Sequence, residues 1–198
     1  TPSAARAVFE AILWKPVIRW RITRIEVLQP VRWTSVRRNE VGAVASSRNA
    51  LTAMNEGHGE LALYIEEERQ QRASLLLRDV AYRLHAEMEM VGDDARANPN
   101  KYIAMFNRRA EAGQCVNQPY LGCREFAAAF RAVELVADGQ GGWRVGPDEL
   151  SALDDWSPDL GWMLYDMDFA AGPTPQPRFF RAQVQRGVLD LSRVEVRG

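Results

Sequence analysis

The chain has 198 residues, a formal net charge of −1, 46% hydrophobic and 26% charged residues, the profile of a soluble globular protein of one domain or one domain with an appendage. No window approaches roughly 18 uninterrupted apolar residues, which excludes a helical membrane span, and the opening Thr1-Pro2-Ser3-Ala4-Ala5-Arg6 lacks the basic-then-apolar plan of a signal peptide. Two cysteines, Cys115 and Cys123, and two histidines are too few soft ligands for structural zinc and predict free thiols in the cytoplasm.

Residues 2–14 predict a helix. Pro2 suits a first turn, and Ala5, Val8, Phe9 and Ile12 make an apolar stripe at helical spacing. Pro16 ends it, because the residue before a proline leaves the helical region. Residues 17–28 alternate, with Ile18, Trp20 and Ile22 on one face and Arg19 and Arg21 on the other. Ile25 and Val27 fall out of that phase, which predicts a bulge. After Gln29-Pro30 a second strand is expected over 31–41. Residues 42–60, rich in Ala, Ser, Asn and Gly, show no period and predict a flexible surface loop. Residues 61–78 hold Tyr64-Ile65, the cluster Arg69-Gln70-Gln71-Arg72 and Leu75-Leu76-Leu77. Residues 79–90 form the clearest strand, with Leu84, Ala86, Met88 and Met90 on one face and Arg83, His85, Glu87 and Glu89 on the other.

Asn98-Pro99 reads as an N-cap followed by proline at the first helical position, and Gly113 as the left-handed residue that closes the helix. A loop at 114–122 leads into a strand over 123–136. Residues 137–160 are a Gly/Asp/Pro-rich insertion. Residues 161–169, 178–185 and 188–196 predict C-terminal strands, the last two joined near Arg186-Gly187. Trp14, Trp20 and Trp33 are expected to fill a core, and neither His58 nor His85 has an evident partner.

Charge is distributed unevenly. Residues 1–50 carry nine basic and three acidic groups, residues 51–100 five basic and ten acidic ones. A near-neutral total does not exclude nucleic acid, because binding follows the local patch. Of the 25 basic side chains only Lys15 and Lys101 are lysines. Arginine grips phosphate with a planar fork, whereas lysine is a compact point charge. Lys101 and Arg108 lie two turns apart on the predicted helix and point the same way, with Arg109 adjacent. A helix N-terminus favours a phosphate nearby. Arg37-Arg38-Asn39 and Arg69-Gln70-Gln71-Arg72 are Arg/amide clusters of the kind that hold phosphates and read base edges; as solvated loops they would do neither. Gln118-Pro119-Tyr120-Leu121-Gly122-Cys123-Arg124-Glu125-Phe126 combines turn formers, aromatics and Arg124. Asp166 and Asp168 face one side of a strand, as a carboxylate pair or as exposed charges. No Gly-rich phosphate loop, Ser-His-Asp set or metal cluster is present in the sequence, and no cofactor is expected.

Trp14-Lys15-Pro16, Arg37-Arg38-Asn39-Glu40-Val41, Arg69-Gln70-Gln71-Arg72-Ala73, Lys101 with Arg108-Arg109, and Gly113-Gln114 through Pro119–Phe126 form an ordered set. Together they resemble the type I-C CRISPR-associated processing endoribonucleases, the Dvulg subtype of the Cas-five (RAMP) family, over residues 1 to about 170. The resemblance implies an α+β fold: a ferredoxin-like, RNA-recognition-like core over 1–137, with its first strand expected before Thr1, and an insertion and C-terminal antiparallel β extension over 138–198. It implies metal-independent cleavage of CRISPR repeat RNA by attack of the RNA's own 2′-hydroxyl, giving a cyclic phosphate and a free 5′-hydroxyl. Retention on the crRNA 5′ handle is also implied, in a complex with backbone and large subunits, and weak DNA binding is a further expectation.

By the same resemblance, Lys101 and Tyr102 are the expected catalytic residues. Arg37, Arg38, Asn39, Arg69, Arg72, Arg108, Arg109 and Arg124 are the expected RNA contacts. Two positions depart from the family pattern. Tyr102 stands where a histidine is usual, and Leu13 where a tyrosine precedes Trp-Lys-Pro. A phenol is a weak base near neutrality. A non-catalytic handle-binding subunit and a generic Arg-rich nucleic-acid module are therefore the alternatives.

Overall fold

A computed structural model describes residues 1–59, 61–92, 98–140, 142–170 and 172–198. The elements in chain order are α1 (Pro2–Ile12), β1 (Ile18–Val27), β2 (Arg32–Val41), α2 (Ser47–Glu56), β3 (Arg69–Arg78), β4 (Tyr82–Met90), α3 (Pro99–Glu111), β5 (Leu135–Ala137), β6 (Trp143–Val145), β7 (Asp159–Asp168), β8 (Gln176–Gln183) and β9 (Val188–Asp190). The chain forms two compact units, Thr1–Pro30 with Ala81–Gly198, and Val31–Val80.

In the larger unit Thr1 caps α1 through its side-chain oxygen, and Ala5, Val8 and Ile12 are buried as the apolar stripe requires. The chain leaves the helix at Leu13, whose extended backbone leads into Trp14-Lys15-Pro16. β1 pairs antiparallel with β4, Trp20 opposite Met88 and Ile25 opposite Leu84, and the register shifts between Ile22 and Arg24. That shift is the expected bulge. It keeps Ile25 and Val27 buried with Ile18, Trp20 and Ile22. β9 adds to the other side of β1, giving the order β4-β1-β9. Helix, two paired strands and helix, with α1 and α3 on the face that holds Leu84, Ala86 and Met88, form an antiparallel α+β arrangement. Among the described residues β4 has no strand on its far edge.

Phe180, Ala182 and Val184 of the C-terminal extension join Ala5, Ile22, Ile25, Leu189 and Leu191 in the main core. A second apolar cluster seats Leu13, Ile18 and Trp20 against Tyr102, Met105 and Phe106 of α3. Phe9, Trp20 and Phe106 interlock there, with ring centroids 4.7 to 5.4 Å apart. The buried indole of Trp20 donates to the Leu13 carbonyl at 2.8 Å. Large aromatic surface with a satisfied polar atom is the efficient way to fill such a space.

The smaller unit is a two-stranded ribbon, β2 against β3 in register from Arg32↔Arg78 to Val41↔Arg69, with α2 between its strands in sequence. The loop expected at 42–60 is in fact helical over Ser47–Glu56. Ser46 caps it by accepting from the Asn49 N–H, and Gly57 closes it at φ 69. The cap and the left-handed glycine were the legible signals. No described residue of Val31–Val80 is fully buried, so the helix has little apolar periodicity to display.

Three other expectations change. The strand expected over 123–136 forms only at Leu135–Ala137. Ahead of it the Gln118 amide donates to the Ala128 carbonyl, and Ala128 N–H to Pro119, folding the segment back on its own loop. The alanines 127–129 have little intrinsic strand preference to oppose this. The last strand stops at Asp190, where the carboxylate accepts from both the backbone and hydroxyl of Ser192. Of the three clustered tryptophans only Trp20 fills a core; Trp14 and Trp33 are 60% and 62% exposed.

Candidate functional site

α3 begins where the Asn98 side chain accepts from the Asn100 N–H at 3.0 Å and Pro99 occupies the first turn. Lys101 projects from that first turn into solvent, and its Nζ lies 5.8 Å from the centre of the Tyr102 ring. A cation over a ring face is attracted by the ring quadrupole. Tyr102 is half-buried because its ring packs into the cluster of Leu13, Ile18 and Trp20. Leu13 itself is fully buried. The position where the family pattern has a tyrosine therefore contributes to the apolar cluster against which Tyr102 packs, and no hydroxyl.

Arg108 is exposed two turns beyond Lys101, so α3 presents two cations on one solvent-facing stripe. Arg109 turns the other way, and its guanidinium donates to the Ile12 carbonyl at 2.9 Å. A cation at the last carbonyls of α1 complements the negative end of that helix. Arg124 is exposed on the loop between Tyr120 and Ala127, a pair joined by an isolated bridge.

The remaining expected residues lie in the smaller unit, on β2 and β3. Alternation divides them by face. Arg38 sits directly opposite Arg72, and the Glu40 carboxylate bridges both guanidiniums at 3.2 Å. Arg37, Asn39, Arg69 and Gln71 occupy the other, exposed face, which carries no acidic side chain. The structure thus brings Lys101, Tyr102 and Arg108 together on α3. It joins Arg38 and Arg72 through Glu40, and it leaves Arg37 and Arg69 as open cations on the ribbon.

A polar cluster that the sequence did not pair lies on the sheet face away from the helices. Glu26 accepts from Arg83 at 2.5 Å and pairs with His85 at 2.8 Å and Arg24 at 3.3 Å. Glu26 and Arg83 are both buried. Arg83, expected on an open polar face, also donates to the Leu150 carbonyl. The partners are 57 and 59 residues apart in sequence, and the bulge at Thr23 decides which β1 side chains share this face. Farther along, Arg21 pairs with Glu87 and, at 2.6 Å, with Glu89. Ion pairs cover this face, and its β1 and β4 side chains include no Phe, Tyr or Trp on which a base would stack; the one ring, His85, is held by Glu26.

Burial lowers the pKa of His85 from its ordinary 6.5, Arg24 adds to the effect, and Glu26 opposes it. The folded protein therefore resists a proton that the unfolded chain accepts. Stability is expected to fall as pH drops below 6.5, down to the lower value of the folded state. Thermal unfolding at pH 7.5 and 5.5 checks this: the wild type loses more on acidification than His85→Gln, and equal losses would remove His85 from the account.

Asp166 pairs with Arg6 at 2.8 Å and Asp168 with Arg178 at 3.1 Å, so each is held by its own arginine. Among the described residues no three His, Cys, Asp or Glu side chains gather where a metal ion would be held, and no helix is long and apolar enough to cross a membrane.

A family profile for Cas5d, described as a CRISPR-associated protein, matches residues 1–191. The chain is 46% identical over 195 residues to the CRISPR pre-crRNA endoribonuclease Cas5d of Mannheimia succiniciproducens, covering 96% of this chain and 82% of that protein. It is 36% identical over 208 residues to the protein of the same name from Thermus thermophilus, covering 96% and 79%. A crystal structure of a CRISPR-associated protein superposes with a TM-score of 0.60 at 18% identity, over the whole of this chain and 84% of the other. A functionally uncharacterized protein from Streptococcus mutans does so at 0.59 and 17%, with the same coverage. At those identities the two structures share the fold.

Proposed function

The chain belongs to the Cas5d family of CRISPR-associated proteins, and on that premise we propose that it is an endoribonuclease that cuts CRISPR precursor RNA within the repeat, by a metal-independent transesterification at the first turn of α3. The observation that carries the reading is Lys101, a solvent-facing point charge beside Tyr102, with Arg108 on the same stripe. In this reaction the 2′-hydroxyl attacks the adjacent phosphorus. The new O2′–P bond closes the cyclic phosphate and the P–O5′ bond breaks.

Negative charge builds on the non-bridging oxygens of the phosphorane, where a fixed cation is most effective. Lys101 supplies that cation. The Tyr102 hydroxyl gives its proton to the departing 5′-oxygen, a role that suits a phenol better than that of base. The 2′-hydroxyl proton passes to water. In the larger unit Arg108 and Arg124 hold phosphates of the repeat, and the smaller unit offers its own set of RNA contacts in Arg37, Asn39 and Arg69 on the open face of the ribbon. Arg38, Arg72 and Arg109 have internal partners and bind RNA only with what remains of their guanidinium forks. After cleavage the protein stays on the 5′ handle and meets the other subunits of a type I-C complex.

Tyr102→Phe separates chemistry from packing, since phenylalanine retains the ring under Lys101 and loses only the hydroxyl. Cleavage under single-turnover conditions is expected to slow about 10²-fold with RNA affinity unchanged. An unchanged rate would make Tyr102 a support for Lys101 and no more.

The burial of Leu13 favours one other reading, a handle-binding subunit without turnover. It predicts tight repeat binding and intact RNA after prolonged incubation.

A further inference from the structure

From the cleft between α1 and the 114–122 loop we infer a second RNA contact, a subsite that takes one unpaired nucleobase by stacking. The inference rests on the RNA-processing reading above and adds to it a position that the α3 site does not include. The cleft has a volume of about 410 Å³, within the roughly 300–1,000 Å³ range of small-ligand clefts. Its walls include two aromatic rings, Trp14 and Tyr120, which are 60% and 40% exposed. Both rings line the same cleft, so each offers an exposed face to a flat ligand seated there.

The walls are built before any ligand arrives. Val116 N–H donates to the Ala11 carbonyl at 2.7 Å, tying the loop to α1. Pro119 is fully buried, Gln118 is fixed to Ala128, and Tyr120 bridges to Ala127. Polar groups of the right kind line the same cleft. The Asn117 amide is exposed and has no hydrogen-bond partner among the described residues, and the Gln118 carbonyl oxygen is free to accept. Such amides match the mixed donors and acceptors of a base edge.

Glu10 decides between a base and a phosphate. Glu10 lines the cleft, and one of its carboxylate oxygens accepts from Arg6 at 2.8 Å. No Arg or Lys is among the cleft's lining residues, so nothing there draws in a phosphate, whereas a carboxylate offset by Arg6 can still accept from the N–H groups of a neutral base. The RNA backbone therefore passes outside, and a base enters. The cleft is also near the reaction site in the chain: Trp14 follows Leu13, a member of the buried cluster against which Tyr102 packs. A base seated here would fix the register of the strand relative to Lys101.

The test compares a six-nucleotide adenosine RNA with a six-unit abasic ribose-phosphate chain of equal charge, at low salt. The wild type is expected to bind the adenosine RNA about tenfold or more tightly, the effect of stacking one base on an aromatic ring. Trp14→Ala and Tyr120→Ala should each cut that ratio several-fold while leaving abasic affinity unchanged, and Trp14→Phe should preserve it. Both rings are exposed, so the fold is expected to survive, and unchanged thermal midpoints check this. A wild-type ratio near one, or a ratio that neither alanine variant alters, overturns the subsite. Failure of both oligomers to bind would instead overturn the RNA-binding reading itself.

Discussion

Lys101→Ala is expected to slow cleavage of the cognate repeat RNA about 10²–10³-fold, the usual effect of removing one group that stabilises charge developing in a transition state. Binding should weaken only slightly, because Lys101 is one cation among several and its distinctive contribution comes when the phosphorane forms. Lys101 is exposed on the first turn of α3 and buries nothing, so the variant should unfold at the wild-type temperature. Lys101→Arg is informative as well. It keeps the charge but replaces a compact ammonium with a broad fork, and partial recovery is expected. The measurement is a single-turnover time course with protein in excess, paired with direct binding of the same RNA. If Lys101→Ala cuts at the wild-type rate, catalysis lies elsewhere on the protein.

The second large effect concerns stability. Removing the Glu26 carboxylate with Glu26→Leu leaves Arg83 buried without its counter-ion, and loss of one partner from a buried pair costs about 3–5 kcal/mol. Against a total stability of about 5–15 kcal/mol for a protein domain, that is a severe change. The loss extends beyond the strand pair, because Arg83 also reaches the Leu150 carbonyl and so ties the insertion to the sheet. Combining Glu26→Leu with Arg83→Met should restore much of the stability, since two well-packed apolar groups replace a buried pair with little net cost. Urea unfolding of the two single variants and the double variant measures the coupling. Additive losses in the double variant would show that the pair is not a unit.

Patterns that act over a few residues were legible in the sequence. The stripe of α1, the alternation of β1 and β4, the bulge that returns Ile25 and Val27 to the core, and the Asn98-Pro99 start of α3 all follow from spacing and caps. α2 was missed because its helix signal lies in Ser46 and Gly57 at its ends, while its middle has no buried stripe to show. The strand expected over 123–136 failed for a tertiary reason: Gln118 and Pro119 capture Ala128, and three alanines offer no resistance. Partnerships between distant residues were the least visible. Nothing near His85 in sequence points to Glu26, and nothing in Arg37-Arg38 says that one arginine is committed to Glu40 and the other left open. Face alternation assigns sides, but only the register of β2 on β3 places Arg72 opposite Arg38.

The α3 site shows the same division. Lys101, Tyr102 and Arg108 could be placed on one short helix from spacing alone. That Tyr102 packs against the cluster holding Leu13, and that Arg109 spends a guanidinium nitrogen on the end of α1, depend on how the two helices meet on the sheet.

The most direct measurement is cleavage of the cognate repeat RNA by the purified protein in EDTA, with and without a 2′-deoxy substitution at the cut nucleotide. A single cut in EDTA that leaves a 2′,3′-cyclic phosphate and a 5′-hydroxyl is expected, with complete protection by the 2′-deoxy substitution. A cut that requires added divalent metal, or that persists when the 2′-hydroxyl is removed, would contradict the proposed transesterification.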